Sequence, residues 1–310
     1  MEIYFIKEVN YMKITVLTPT YNRGYIIEKL YRSLQKQTFT GFEWLVIDDG
    51  SKDHTEELFK EWSAEQNPFV IRYYKVENGG KHRAINKATE LAKGKLFFIV
   101  DSDDYLVEDA LESIIKWEET LGNEKTFCGI SGNRGKSNSE YIGTTFEGEF
   151  IDATTLERNQ FNITGDKAEI FYTDILKKYK FDEIEGEKFI TESTVWDRMA
   201  YDGYKIRWFN KTIYICDYLE DGLTKNIQEV FSNNPKGTAI YFKQQIKFYN
   251  CNFRGKFSYY NLYYQFVKTK MNMVQIAKLL EIGIFTLITA IVTIKCKNII
   301  VNKRLLTKKQ

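Results

Sequence analysis

Three carboxylates fall within four residues at Asp101-Ser102-Asp103-Asp104, directly after the apolar run Leu96-Phe97-Phe98-Ile99-Val100. In a cleft such acids repel one another, and a divalent cation relieves the repulsion. Hard oxygen ligands suit Mg²⁺ or Mn²⁺, which also take phosphate oxygens from a substrate. Read alone, the cluster is equally a solvated acidic turn before a helix that starts near Glu108. Three other apolar runs end in polar clusters: Thr18-Pro19-Thr20-Tyr21-Asn22-Arg23, Asp48-Asp49-Gly50-Ser51 and Glu77-Asn78-Gly79-Gly80-Lys81. A carboxylate at Asp48 or Asp49 can accept from a ring N–H or a ribose hydroxyl, or can simply precede a helix. Gly79-Gly80 permits close backbone approach. No GxGxxG and no GxxxxGK[ST] occurs, which fits a site where a metal handles phosphates.

Each cluster needs a strand to deliver it. Ile14–Leu17, Trp44–Ile47, Val70–Val76 and Leu96–Val100 are strand-like. Between them, Ile26, Ile27, Leu30, Tyr31 and Leu34 share one helical face, as do Leu58, Phe59 and Trp62, and then Ala84, Ile85, Ala88, Leu91 and Ala92. Asp53 followed by Glu56 predicts a capping-box start, and Lys93-Gly94 a helix stop. Strands alternating with helices predict an α/β fold with right-handed crossovers and a mostly parallel sheet. Ligands of such sheets bind beyond the carboxyl ends of the strands. After about residue 121 the pattern becomes irregular. Residues 129–149 read as short strands or an excursion, EKFITESTVWDR as a loop leading into a helix, and Ile206–Phe209 and Thr212–Cys216 as strands.

Composition narrows the class. The 310 residues are 43% apolar and 15% aromatic, enough for a sizeable core, with only 3 prolines and 19 glycines. Collagen-like, proline-rich and disordered classes are excluded. Cys128, Cys216, Cys251 and Cys296 form no CxxC pair, and there are two histidines. Neither a disulfide framework nor a zinc site is supported. MEIYFIKEVNYMK alternates charged and apolar residues rather than forming a signal sequence, so the expected setting is reducing and cytoplasmic.

VLTPTYNR, VIDDGSKDHT, NGGKHRAINKATELAKG and FFIVDSDD, in that order over residues 13–110, resemble the family 2 glycosyltransferases. The resemblance implies the GT-A fold, an α/β architecture with a Rossmann-like, mostly parallel central sheet flanked by helices. It implies an inverting enzyme that uses a nucleotide-diphosphate sugar, most often a UDP-sugar, with Mn²⁺ or Mg²⁺. Carried over by position, Tyr21 would lie against the base, Asp49 would hydrogen-bond it, and Lys81 would reach the ribose or phosphates. Asp101 would face the ribose and Asp103 the metal bridging the diphosphate, both acids counting as metal residues. Pro19 and Ser102 complete the donor-binding set. The family's catalytic base falls at Glu192, with Asp197 as the alternative, because Thr191-Glu192 stands where relatives carry paired acids. Such a base must accept the acceptor hydroxyl's proton opposite the departing diphosphate. Trp196 reads as core or as a platform for an acceptor sugar. Tyr218–Thr224 resembles the loop that closes over the diphosphate, with Glu220 or Asp221 where some relatives carry histidine. His54 reads as surface, and His82 as adjoining the glycine loop.

The end of the chain differs in character. From residue 249 onward eleven Lys or Arg stand against one acid, Glu281, although the whole chain is only +2. Residues 282–294, IGIFTLITAIVTI, are uncharged but shorter than the ~17–25 residues of a spanning helix. An apolar helix with a cationic end is expected at the inner face of a membrane, or packed as a helical appendage. No motif for reading nucleic acid is present. The expected organisation is an extension at 1–12, a nucleotide-sugar-binding half at 13–120, an acceptor and catalytic half at 121–226, and a basic aromatic helical appendage at 227–310. The expected activity is transfer to a glycan or lipid-linked acceptor in polysaccharide biosynthesis. A silent nucleotide-sugar-binding scaffold and a retaining transferase or nucleotidyltransferase stay open as rivals.

Overall fold

The structure is a computed structural model that describes residues 12–137, 140–216 and 226–307, with side chains to residue 296. The chain divides into two compact units: Met1–Lys180 with Arg198–Leu219, and Phe181–Asp197 with Glu220–Gln310.

In the first unit, β1 (Ile14–Thr20), α1 (Glu28–Gln35), β2 (Phe42–Asp48), α2 (Thr55–Ala64), β3 (Val70–Lys75), α3 (Lys81–Leu91) and β4 (Leu96–Ile99) follow the expected alternation. Then come β5 (Tyr105–Leu106), α4 (Ala110–Glu119), β6 (Phe127–Ser137), β7 (Glu140–Tyr141), β8 (Phe150–Ala153), a 3-10 turn (Thr155–Phe161), β9 (Lys167–Tyr172) and α5 (Thr173–Leu176). The division between units runs inside α6 (Ser193–Tyr201), and β10 (Lys205–Ile215) completes the sheet as one strand where the sequence suggests two. The strand order is β3-β2-β1-β4-β9-β6-β10-β5. β1, β2, β3 and β4 pair in parallel, as their crossover helices require. The sheet beyond them is mixed: β9 is antiparallel to both β4 and β6, because β6 returns through β7 and β8 without a crossover helix. Residues 121–180 thereby join the same sheet as β1–β4.

Burial explains the register. β2 is buried along its whole length, whereas β3, on the sheet edge, is largely exposed. Tyr31 stacks on Trp62 with ring centroids 4.4 Å apart, and Trp44 packs on Phe59 at 5.0 Å. These aromatics seal α1 and α2 onto one face. Glu43, fully buried in β2, accepts from Thr15 Oγ1 (2.6 Å), Lys93 N (2.7 Å) and Arg72 Nη1 (2.7 Å). The α3–β4 turn is thus tied to β1 and β2. Gly94 is required there: a Cβ would lie 2.3 Å from Thr15 N. At α2 the capping box is not formed. The N-cap is His54, which puts Glu56 one position too early for the reciprocal bond. Asp53 instead accepts from Thr55 N and Oγ1, and Glu56 pairs with Lys60 and Lys75.

The second unit is helical: α7 (Ile227–Asn233), α8 (Pro235–Phe248), α9 (Phe253–Val267), α10 (Met273–Leu279) and α11 (Ile284–Thr307). Phe231, Phe242, Tyr263, Val267, Ile276, Leu280, Leu287 and Ile291 form its core, which absorbs much of the aromatic density of the tail. Glu187 accepts from Lys236 N and Gly237 N, both at 2.8 Å, in the first turn of α8, where a carboxylate complements the helix dipole. Among the described residues no single helix is long and apolar enough to cross a membrane. α10 and Ile284–Cys296 qualify only as a pair bent by 102°.

Candidate active site

The carboxyl ends of β1 and β2 are stapled together. Asn22, at φ 53°, donates its N–H to Ser51 Oγ (2.8 Å) and accepts from Lys52 N (2.8 Å), while Gly24 N donates to Asp53 (2.9 Å). Positive φ is tolerated by asparagine better than by most residues. Pro19 is harmless to the sheet because β1 pairs with β4 only as far as Leu17. Just beyond, Tyr21 presents a 45% exposed ring.

Asp48 and Asp49 point their carboxylates to different tasks. Asp48 accepts from Ser51 N (2.7 Å) and from the Tyr73 hydroxyl, so it closes its own loop. Asp49 accepts from Gly79 N (2.7 Å), Gly80 N (2.8 Å) and Asn78 Nδ2 (3.1 Å). The glycine loop is therefore held against the end of β2, with Gly80 at φ 96°. Lys81 opens α3 from this loop and places Nζ 2.5 Å from Asp101 Oδ1. His82, the next residue, is buried, whereas His54 is exposed.

The acidic cluster lies among cations and a phenol. Arg134, from β6, approaches Asp101 Oδ2 at 3.5 Å, lies 4.2 Å from the Tyr214 ring centroid, and donates from Nε to Lys167 O (2.9 Å). Tyr214, from β10, accepts the Asp101 N–H (2.9 Å) and donates to Asp104 Oδ2 (2.7 Å). Burial opposes charge on Asp101, but Lys81 and Arg134 outweigh it and hold the carboxyl below its usual range. Asp103 goes the other way: burial, then the charge of Asp101, raise it. Burial and Asp101 also push Asp104 up to about 7, against the Tyr214 hydrogen bond. Ser102 is buried between these acids. Arg134 and Tyr214 escape a reading of the sequence, because only the pairing of β6 with β10 brings them to the cluster.

Among the described residues no three His, Cys, Asp or Glu converge as a metal cage. The donor set nonetheless fits Mn²⁺ or Mg²⁺ in the mode where one or two carboxylates hold a cation and phosphates and water supply the rest. Asp103 is half-buried and destabilised by a like charge, the situation a cation relieves.

In the second unit, Glu192 is half-buried just ahead of α6, its carbonyl accepting from Val195 N and Trp196 N. Asp197 is 5% exposed and accepts from Gln245 Nε2 at 2.9 Å. Trp196 is buried edge-on to Phe181, a core placement. Tyr218–Thr224, with Glu220 and Asp221, lies outside the described residues.

The profile described as Glycosyl transferase family 2 matches residues 15–179, just over half of the chain. Glycosyltransferase GlyG of Streptococcus pneumoniae is 27% identical over 218 residues, 65% of this chain and 69% of that protein. Poly(ribitol-phosphate) beta-N-acetylglucosaminyltransferase TarS of Staphylococcus aureus is 28% identical over 168 residues. That alignment covers 54% of this chain and 28% of TarS. The crystal structure of TarS 1-349 in complex with UDP-GlcNAc covers 92% of both chains at a TM-score of 0.61 and 19% identity. Mannosyltransferase PcManGT of Pyrobaculum calidifontis, in complex with GDP-Man and Mn²⁺, covers 95% of this chain and 80% of its own at 0.54 and 16%. The structural likenesses show the fold, a mixed α/β sheet flanked by helices of GT-A type.

Proposed function

The chain belongs to glycosyl transferase family 2, and from that premise we propose that it is an inverting, metal-dependent enzyme moving a sugar from a nucleotide-diphosphate sugar to a glycan or lipid-linked acceptor in polysaccharide assembly. The observation that carries this reading is the Asp101-Ser102-Asp103-Asp104 cluster at the end of β4, set beside Lys81 and Arg134. Exposed Tyr21 stacks on the base. Asp49 meets the base edge and fixes the Asn78–Gly80 loop beside it. Pro19 and Ser102 frame the nucleotide, and Asp101 takes the ribose. UDP is the favoured carrier, since TarS, similar in both sequence and fold, is described with UDP-GlcNAc.

Mn²⁺ or Mg²⁺, when bound, neutralises charge on the leaving diphosphate. Asp103 would hold it, with Asp101 behind. Lys81 keeps Asp101 ionised in the free protein and is placed to offer its ammonium to phosphate once donor arrives. Glu192 accepts the proton of the attacking hydroxyl, leaving that oxygen free to displace the diphosphate from the opposite face of the anomeric carbon. Asp197 is the alternative base, but its burial on Gln245 favours Glu192.

A screen of nucleotide sugars for transfer and donor hydrolysis, with Mn²⁺ and then with EDTA, tests the reading. Turnover that EDTA abolishes, with an inverted product anomer, supports it. Donor binding without any turnover would make the chain a silent subunit, and a retained anomer would overturn inversion.

A further inference from the structure

We propose that the outward face of α11 docks on an anionic lipid surface. One side of this helix is spent on the helical core: Leu287 and Ala290 are fully buried and Ile291 nearly so. The other side carries a second apolar stripe, flanked by exposed Thr286, Thr289 and Thr293. Phe285 is 81% exposed, Val292 52% and Ile288 43%, and their spacing of three, four and seven residues puts them on one stripe. No charge interrupts residues 282–294. Apolar stripes on opposite sides of one helix require cover on both sides.

Length and charge identify the cover. The uncharged part of the helix, residues 284–294, extends about 17 Å, less than the roughly 30 Å hydrocarbon thickness of a bilayer, so the stripe lies in an interface rather than crossing it. Exposed Lys295 stands one turn beyond Val292, and Lys297, Lys303, Arg304, Lys308 and Lys309 follow without an acid. A second copy docking through the same helix would bring the same excess of cations to the contact and be repelled. A nucleic acid would satisfy the cations but leave Phe285, Ile288 and Val292 wet. An anionic bilayer satisfies both, accepting the apolar stripe below its headgroups and the cations among them. This docking does not depend on the transferase reading, and its test reads membrane partition instead of turnover.

The experiment is sedimentation of the full chain with vesicles of phosphatidylcholine, alone or mixed with phosphatidylglycerol. The wild-type chain should partition onto the anionic vesicles about tenfold more strongly, since each nearby cation adds to the attraction. Added salt should weaken that binding without abolishing it. Joint replacement Phe285→Ser, Ile288→Ser and Val292→Ser should lower partition by about tenfold or more, with the thermal unfolding midpoint and the donor-induced thermal shift unchanged. Should the triple variant unfold, Phe285→Ser alone carries the test, because its ring is the most exposed. Equal binding to neutral and anionic vesicles, or undiminished binding by a folded variant, overturns the proposal. So does a wild-type dimer in light scattering that the variant dissolves while neither chain binds vesicles.

Discussion

The Tyr214 hydroxyl donates to Asp104 Oδ2 at 2.7 Å while accepting the backbone N–H of Asp101 at 2.9 Å. One phenol from β10 thus fixes both ends of the acidic turn after β4. Tyr214→Phe keeps the ring under Arg134 but takes one hydrogen bond from the Asp101 N–H and one from the buried Asp104 carboxyl. It should lower the unfolding free energy by about 1–3 kcal/mol and raise the donor KM more than it lowers kcat. Denaturant titration and steady-state kinetics check this. A variant unchanged in both would show that Tyr214 merely fills space.

Asp103→Ala should remove the metal dependence of donor binding and leave the fold intact. Burial and the charge of Asp101 raise this carboxyl, so its removal relieves repulsion in the free protein. The thermal midpoint without metal should therefore hold or rise, and the Mn²⁺-dependent shift with donor should vanish. Metal dependence like that of wild type would move the cation to another group.

Much of this site is legible in the residue order because each cluster immediately follows its strand. Asp101 and Asp49 need only β4 and β2 to end where the apolar runs end. Arg134 is a different case. It sits in a stretch rich in Gly, Ser and Asn that reads as an excursion, and only the β6–β10 ladder reveals it as the cation behind Asp101. Glu43 likewise falls just outside the strand-like run Trp44–Ile47, and only the fold brings Thr15, Arg72 and Lys93 N together on it. Local periodicity encodes helices and strands, but long-range pairing decides which distant side chains meet. The mixed half of the sheet was hidden for the same reason.

Asp49→Ala should act twice. Its carboxylate accepts two backbone N–H groups and Asn78 Nδ2, so the glycine loop loses its anchor along with any contact to the base. A hydrogen bond to a charged group contributes about 1.5–3 kcal/mol. The variant should bind free nucleoside diphosphate and sugar donor more weakly by similar factors, measured calorimetrically, and Gly79 and Gly80 amides should exchange faster. Equal nucleotide affinity with faster exchange would confine Asp49 to loop anchoring.

Glu192→Gln and Asp197→Asn separate the two candidate bases. The Glu192 change should preserve donor affinity and cost at least ~10²-fold in transfer, the usual worth of a general base. Asp197→Asn alters a buried partner of Gln245 and should show itself first as a lower unfolding midpoint. An active Glu192 variant beside a folded, inactive Asp197 variant would reverse the assignment.

Lys167 gives the fold a measurable alkaline signature. The residue is 2% exposed and its ammonium donates to Thr144 O (2.8 Å), Asn133 Oδ1 (3.0 Å) and Ile142 O (3.4 Å), all uncharged acceptors. Burial, reinforced by Arg158, lowers its pKa to about 8. In the unfolded chain the group returns to about 10.4, so between those values the unfolded state holds more protons than the folded one. Stability from this residue therefore rises with pH through that window, by no more than about 3 kcal/mol. Other groups titrate over the same range, and the buried tyrosines oppose the trend at higher pH, since Tyr31 is raised to about 12. The quantity to measure is the difference in unfolding free energy between wild type and Lys167→Met from pH 7 to 9.5. The variant leaves three acceptors without their donor and should be less stable throughout. The gap should widen as pH rises, because only wild type gains by releasing its proton. A gap that stays constant would mean that Lys167 titrates as it does in water, and that its three carbonyl partners fully compensate its burial.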